Sequence, residues 1–143
     1  MSVLPTDYVL TDDQSQIDAL AAHAFLTTSY WSTGIPLETV QRAIANSFCV
    51  AVRHNDTQVA FARVVTDYAV FGYLADVYVL EEHRGLGLGQ LMVTHFHNHP
   101  RLQGLRRWAL FTLDAQGVYA KLGWQPLQHP ERAMERHFPD IYA

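Results

Sequence analysis

The stretch VYVLEEHRGLGLGQLMV, from Val77 to Val93, sets three glycines at alternate positions between a β-branched apolar run and an apolar pattern of helical spacing. Gly85, Gly87 and Gly89 carry no Cβ, so the backbone there enters φ > 0 freely and comes close to a ligand. A strand, a glycine loop and a helix in that order place free N–H groups and about half a unit of positive charge at the helix N-terminus, which favours a phosphate. The loop therefore predicts anion binding. It also demands a strand–loop–helix crossover at the centre of the fold.

The remaining periodicities fit around that crossover. Ile17, Leu20, Ala21, Ala24 and Phe25 recur at helical spacing behind the capping candidates Asp12 and Asp13, predicting a helix to about Thr28. Pro36 suits a first helical position, and Leu37, Val40 and Ile44 form one face of a second, short helix. The residues thus put two helices ahead of any strand. FCVAVR and QVAFARVVT flank the turn HNDT and read as an antiparallel hairpin, and YLADVYVL supplies a third strand. Leu88, Leu91, Met92 and Phe96 make a helical stripe that ends near Pro100. RRWALFTL as a strand, a short helix around GVYAKL and a last strand around WQPLQ complete a mixed sheet packed by helices.

A chain of 143 residues with no repeat or linker is expected to form one domain over 1–143, large enough to bury roughly two thirds of its unfolded surface. Its net charge of -4, with charges interspersed, gives no basic stripe for a nucleic-acid backbone. Cys49, the only cysteine, sits in the apolar run SFCVAV and reads as a small core residue rather than a nucleophile. The opening MSVLPTDYVL lacks a cationic segment followed by an apolar one, and no apolar run approaches the roughly 20 residues that span a bilayer. A cytoplasmic protein with no membrane partner is the expectation. In THFHNHP, His95 and His99 are i, i+4 on one helix face, but no third ligand follows at zinc spacing. Solvent-facing histidines at a helix C-terminus, and no metal, are predicted.

Among phosphate loops, a P-loop requires Gly-Lys-Ser/Thr, whereas Gly89 is followed by Gln90 and Leu91. A dinucleotide fingerprint requires G-x-G-x-x-G, whereas the spacing here is G-x-G-x-G. Arg84, Gly87 and Gly89 instead resemble the [Q/R]-x-x-G-x-[G/A] acyl-CoA signature of the GCN5-related N-acetyltransferases (GNAT). ADVYVL is similar to that family's central fourth strand, and Tyr119, Lys121, Gly123 and Trp124 to its late Tyr-x-Lys-x-Gly-aromatic motif. The resemblance covers roughly residues 3–128. It implies an α/β (α+β) fold with a mixed, mostly antiparallel twisted sheet flanked by helices, in the order β-α-α-β-β-β-α-β-α-β.

The resemblance further implies acyl transfer, most simply of acetyl from acetyl-CoA, to an amine by direct attack in a ternary complex. An alkylammonium, with a pKa near 10 like that of lysine, must lose its proton before it attacks, and the leaving thiolate departs more readily when a donor protonates it. Tyr119 is the implied donor. Backbone N–H groups of Gly85, Gly87 and Gly89, with Arg84, Leu86, Leu88 and Gln90, would receive the pyrophosphate of CoA. Val77 and Val79 would offer backbone groups to pantetheine. The family often has an Asn two helical turns before the tyrosine; here Asp114 stands nearer, as the corresponding cofactor contact. Asp76 is the acidic residue of the fourth strand, a general base or ammonium anchor, with Tyr78 as the alternative. Phe25, Tyr30 and Trp31 fall where the family's acceptor wall lies. A small amine is the expected acceptor, with a protein lysine or N-terminus, or a non-catalytic acyl-CoA sensor, as the rival readings; a homodimer is left open.

Overall fold

A computed structural model describes residues 4–143. It contains β1 (Tyr8–Thr11), α1 (Ala19–Leu26), α2 (Leu37–Ala45), β2 (Phe48–His54), β3 (Thr57–Thr66), β4 (Phe71–Val79), α3 (Leu88–Asn98), β5 (Arg107–Ala109) and α4 (Gln116–Ala120). The strands form one sheet in the order β1-β2-β3-β4-β5, antiparallel except for the parallel pairing of β4 with β5. Parallel neighbours need a crossover, and the glycine loop with α3 supplies it.

Alternation along β2 divides the core between the two faces of the sheet. Phe48, Val50 and Val52 point to α3 and pack with Leu88, Met92, Val93 and Phe96. Cys49 points the other way and joins Phe61, Tyr78, Leu26 and Val40 beneath α1 and α2. The hairpin between β2 and β3 turns at Asn55, whose φ of +55° is one that asparagine adopts more readily than most residues.

Three expectations about the elements are corrected. A strand, β1, precedes the helices, against the periodicities but in the order the resemblance implied, pairing Tyr8 with His54 and Thr11 with Ala51. Asp13 caps a 3₁₀ turn over Gln14–Gln16, and Asp18 caps α1 by accepting from the Ala21 N–H; Pro36 is the N-cap of α2 rather than its first residue. No strand forms around WQPLQ. Pro126 removes a ladder donor there, and the Trp124 indole turns inward to donate to His97 at 3.2 Å, drawing the chain toward α3. The final strand of the expected order is therefore missing among the described residues.

β5 is shorter than RRWALFTL suggested, and its shortness shapes the site. It pairs only with Phe71, Gly72 and Tyr73 of β4, so the β5-facing edge of β4 beyond Tyr73 has no strand partner. On its other side β4 carries a bulge: Arg63 stands opposite Ala75 and Phe61 opposite Tyr78, which sets Asp76 and Val77 against Ala62 alone. Asp76 has φ +57°, a left-handed conformation. Bulges of this kind re-aim a side chain and sharpen the local twist.

Candidate active site

The glycine loop stands at the carboxyl end of β4. Gly85 and Gly87 have φ of +86° and +78°, and Gly87 is the N-cap of α3. A Cβ built on Gly85, Gly87 or Gly89 meets nothing within 4 Å. Packing therefore does not require glycine at any of the three, and the space before them is open to a ligand. That space is a cavity of about 310 Å³ lined by Val79, His83, Arg84, Gly87, Gln90 and Val118, among others. The first N–H groups of α3 have no partner within the helix and open onto it. Leu88 contributes only its backbone, since its side chain is buried against the sheet, while Leu86 is exposed.

Two lining residues escaped the sequence reading. His83 is fixed by the Tyr8 hydroxyl, 2.7 Å from its Nδ1, and Val118 comes from α4. Neither belongs to a recognisable motif, and β1 brings in Tyr8 from 75 residues away. Arg84 is exposed but its side chain is tied back to the strand: its Nε donates to the Val79 carbonyl at 2.9 Å. That carbonyl is thus already engaged, whereas Val77 lies on the unpaired edge. Asp114 is exposed, makes no side-chain hydrogen bond among the described residues, and is not among the residues lining the cavity.

Tyr119 sits on α4. It packs partly buried against the α3-side core and edge-on to Trp124, with ring centroids 6.0 Å apart. The Tyr119 carbonyl accepts from the Leu122 and Trp124 N–H groups at 2.9 and 3.1 Å, and Gly123 takes φ +96° to make that turn. Trp124 then reaches His97 on α3. Burial keeps the His97 imidazole below its ordinary pKa, so its Nε2 is available to accept the indole N–H. This chain of contacts ties the short α4 to α3. Burial, with the nearby Tyr30, raises the Tyr119 phenol above its ordinary value of 10.0, which keeps it protonated at neutral pH. A proton donor fits that state.

Asp76 is held from two sides. Its Oδ2 accepts from Arg63 Nε at 2.6 Å and its Oδ1 from the Trp31 indole at 2.8 Å; Arg63 Nη1 also donates to Ser47 at 3.0 Å. Side-chain exposure is 9 % for Asp76 and 17 % for Arg63, so each charge is compensated where water is scarce. Arg63 lies outside every motif in the sequence. Its signal is only an arginine within an otherwise apolar strand, which needs a buried partner.

The aromatic wall is divided by the structure. Phe25 stacks on Tyr78 at 4.2 Å, and Tyr78 is only 4 % exposed, with its hydroxyl 3.5 Å from Gln58. Burial raises the Tyr78 phenol to about 12, which makes it a poor base. Tyr30 and Trp31, by contrast, are exposed. Cys49 is buried, with its thiol raised to about 12 chiefly by burial, as suits a core residue and not a nucleophile.

His95 and His99 do not face solvent as expected. Both are half-buried, and their Nε2 atoms lie 2.8 and 3.3 Å from one oxygen of Asp12. The third polar group comes from a residue 83 positions earlier, which helix spacing cannot reveal. His99 Nδ1 accepts the Arg101 N–H at 3.1 Å, so the neutral ring carries its proton on Nε2 and donates it to Asp12. Ligation of a metal by that same Nε2 would displace this proton to Nδ1 and leave the Arg101 N–H without its acceptor. The three side chains form a hydrogen-bonded tie between the end of β1 and α3, and Asp12 is the third candidate metal ligand that helix spacing did not offer, with the three ligand atoms all within 4.8 Å of one another.

Open glycines at the head of α3, beside a β4 edge left without a strand partner, form a cradle that suits an extended, phosphate-bearing ligand. The model of the acetyltransferase (GNAT) domain matches residues 45–126. An inferred acetyltransferase of Gibberella zeae is 31 % identical, with 80 % of this chain and 77 % of that protein covered. The crystal structure of an inferred GNAT-family acetyltransferase from Xanthomonas campestris pv. campestris is 44 % identical, covers 99 % of both chains and superposes with a TM-score of 0.94. A Clostridium acetobutylicum protein, assigned by prediction as an acetyltransferase and solved with acetyl-CoA, shares the fold at 17 % identity and a TM-score of 0.68, over 91 % of this chain and 94 % of that one. The chain belongs to the GNAT acetyltransferase family. Its activity is that of an N-acetyltransferase, and no helix among the described residues is long and apolar enough to cross a membrane.

Proposed function

We propose that the protein acetylates a primary amine of a small molecule, using acetyl-CoA, by direct attack within a ternary complex. The observation that carries this reading is the open glycine cradle continuous with the unpaired edge of β4. The cradle suits a pyrophosphate and the edge suits an extended amide chain, as in strand addition. Bound there, acetyl-CoA supplies an acetyl thioester.

The chain's own groups then divide the proton work. The amine, once neutral, forms its C–N bond to the acetyl carbon as the C–S bond breaks. Tyr119 gives its phenolic proton to the departing sulfur, and the proton lost by nitrogen passes through water, which restores the phenol. Asp76 stands on the acceptor side of β4, where it orients the amine or the water that takes its proton. Its pairing with Arg63 and Trp31 holds the carboxylate in one place. Asp114, exposed at the start of α4, is retained as a candidate cofactor contact on the family's precedent alone.

A small acceptor is favoured because the acidic chain, at net charge -4, offers no basic surface for nucleic acid, and the wall beside Asp76 is aromatic. A cytoplasmic location is in keeping with a lone, buried, unpaired cysteine. A panel of amines incubated with acetyl-CoA and followed by thiol release tests the proposal. Amine-dependent release is the expected result. Tight acetyl-CoA binding with no amine-dependent release would favour a sensor, and release only with lysine-bearing peptides would favour a protein acceptor.

A further inference from the structure

Around the Asp76–Arg63 pair the acceptor face is apolar and uncovered. Trp31 is 40 % exposed, Tyr30 60 %, Phe111 77 % and Leu113 72 %. These residues come from two separate segments, the α1–α2 connection and the chain after β5, and they are joined. The Tyr30 hydroxyl accepts the Leu113 N–H at 3.1 Å, Tyr30 meets Trp31 edge-on at 5.0 Å, and Phe111 meets Tyr73 of β4 at 5.9 Å. The Trp31 indole, bonded to Asp76 Oδ1 at 2.8 Å, ties this wall to β4 at its bulge. Exposed aromatic groups grouped in this way mark a recognition surface rather than scattered surface residues.

The charges on this face do not suit a polycation or an anionic sugar. Arg63 already satisfies Asp76 and also donates to Ser47, so the pair offers neither a free carboxylate for a second ammonium nor a free guanidinium for a phosphate. What remains to recognise is a flat, apolar body. We propose that the acceptor is an arylalkylamine or a comparable aromatic amine, whose ring lies between Trp31 and Phe111 while its nitrogen points past Asp76 toward Tyr119. This rests on the amine N-acetyltransferase reading above. Trp31 plays a double part: its indole N–H fixes Asp76, and its ring forms the wall.

The test compares 2-phenylethylamine, n-butylamine and spermidine as acceptors by kcat/KM, with acetyl-CoA binding followed separately by calorimetry. Burying a phenyl ring between the two walls should favour 2-phenylethylamine over n-butylamine by about ten- to a hundredfold. Phe111→Ser should erase most of that preference by raising KM for the aromatic amine alone, while leaving acetyl-CoA affinity and thermal stability near the parent values, because Phe111 is largely exposed. Equal use of the amines, a preference for spermidine, or an aromatic preference unmoved by Phe111→Ser would each overturn the inference while leaving N-acetyl transfer intact. A protein that binds acetyl-CoA but acetylates no amine would overturn both. Sedimentation gives a further check: if Phe111→Ser converts a dimer to a monomer without changing acceptor preference, a second copy covers this face and the inference is wrong.

Discussion

Gly89→Ala should stabilise the free protein and weaken its hold on acetyl-CoA, a pairing of opposite signs that few other roles would produce. Gly89 is the second residue of α3, its φ is not positive, and an added Cβ meets nothing within 4 Å. Alanine there gains helix propensity, up to about 1 kcal/mol, or roughly 2–4 °C in Tm for a chain of this size. The same methyl projects into the space where the N–H groups of the loop would meet a pyrophosphate. Loss of a hydrogen bond to a charged group, about 1.5–3 kcal/mol, lowers affinity about ten- to a hundredfold. Gly87→Val adds backbone strain, since its φ is +78° and a β-branched residue there costs about 1–3 kcal/mol. Gly104→Val is the matched control: its φ is +79°, its Cβ also meets nothing, and it lies outside the residues lining the loop cavity. Calorimetric titration with acetyl-CoA beside thermal melts reads all three variants. Gly104→Val should lose stability and keep affinity. If Gly89→Ala binds acetyl-CoA as tightly as the parent, the loop does not hold the pyrophosphate.

Other outcomes follow from the same structure. Tyr119→Phe should keep its Tm and acetyl-CoA affinity while turnover falls about 10²- to 10⁴-fold, as for loss of a general acid. Because burial raises that phenol above 10.0, the acid form persists as pH rises. The parent's rate should therefore climb as the amine deprotonates and not fall below pH 10, in a kcat profile over pH 6–10. Asp76→Asn keeps a residue that tolerates φ +57° but turns an amide N–H₂ toward one of two existing donors. A stability loss of about 1–3 kcal/mol is expected by chemical denaturation, with either acceptor KM raised or kcat lowered and acetyl-CoA affinity kept. Normal kinetics with only lowered stability would make Asp76 a structural partner. Arg63→Met strands the carboxylate and should cost more, about 3–5 kcal/mol. Cys49, with its thiol near 12 and its side chain enclosed, should resist alkylation at pH 8 until the chain unfolds, as read by pulse labelling across a denaturant series.

What the sequence revealed was local. The β2–β3 hairpin follows from a turn flanked by β-branched runs, α3 from a stripe whose Leu88, Met92 and Phe96 are all buried, and the cradle from glycine spacing alone. What it concealed depends on distant partners. Tyr8–Thr11 is a strand only because β2 lies beside it, and Asp12 meets His95 and His99 only because β1 ends near the last turn of α3. Asp76 stood out as a carboxylate in an apolar strand, but its bulge, its left-handed φ and its clasp by Arg63 and Trp31 arise from cross-strand register and a connection 45 residues away. Tyr78 and Phe25 could not be told from Tyr30 and Trp31 as wall residues, since aromatic identity does not say which ring the core absorbs.

The most direct test of the central claim is an initial-velocity study with acetyl-CoA and the best amine of the panel, combined with intact-mass analysis of the enzyme after exposure to acetyl-CoA alone. Attack within a ternary complex predicts double-reciprocal lines that intersect, release of free thiol matched by N-acetylated amine, and an enzyme of unchanged mass. Parallel lines with a covalently acetylated chain would contradict the account, because they would require a nucleophile on the protein that neither the buried Cys49 nor the protonated Tyr119 provides.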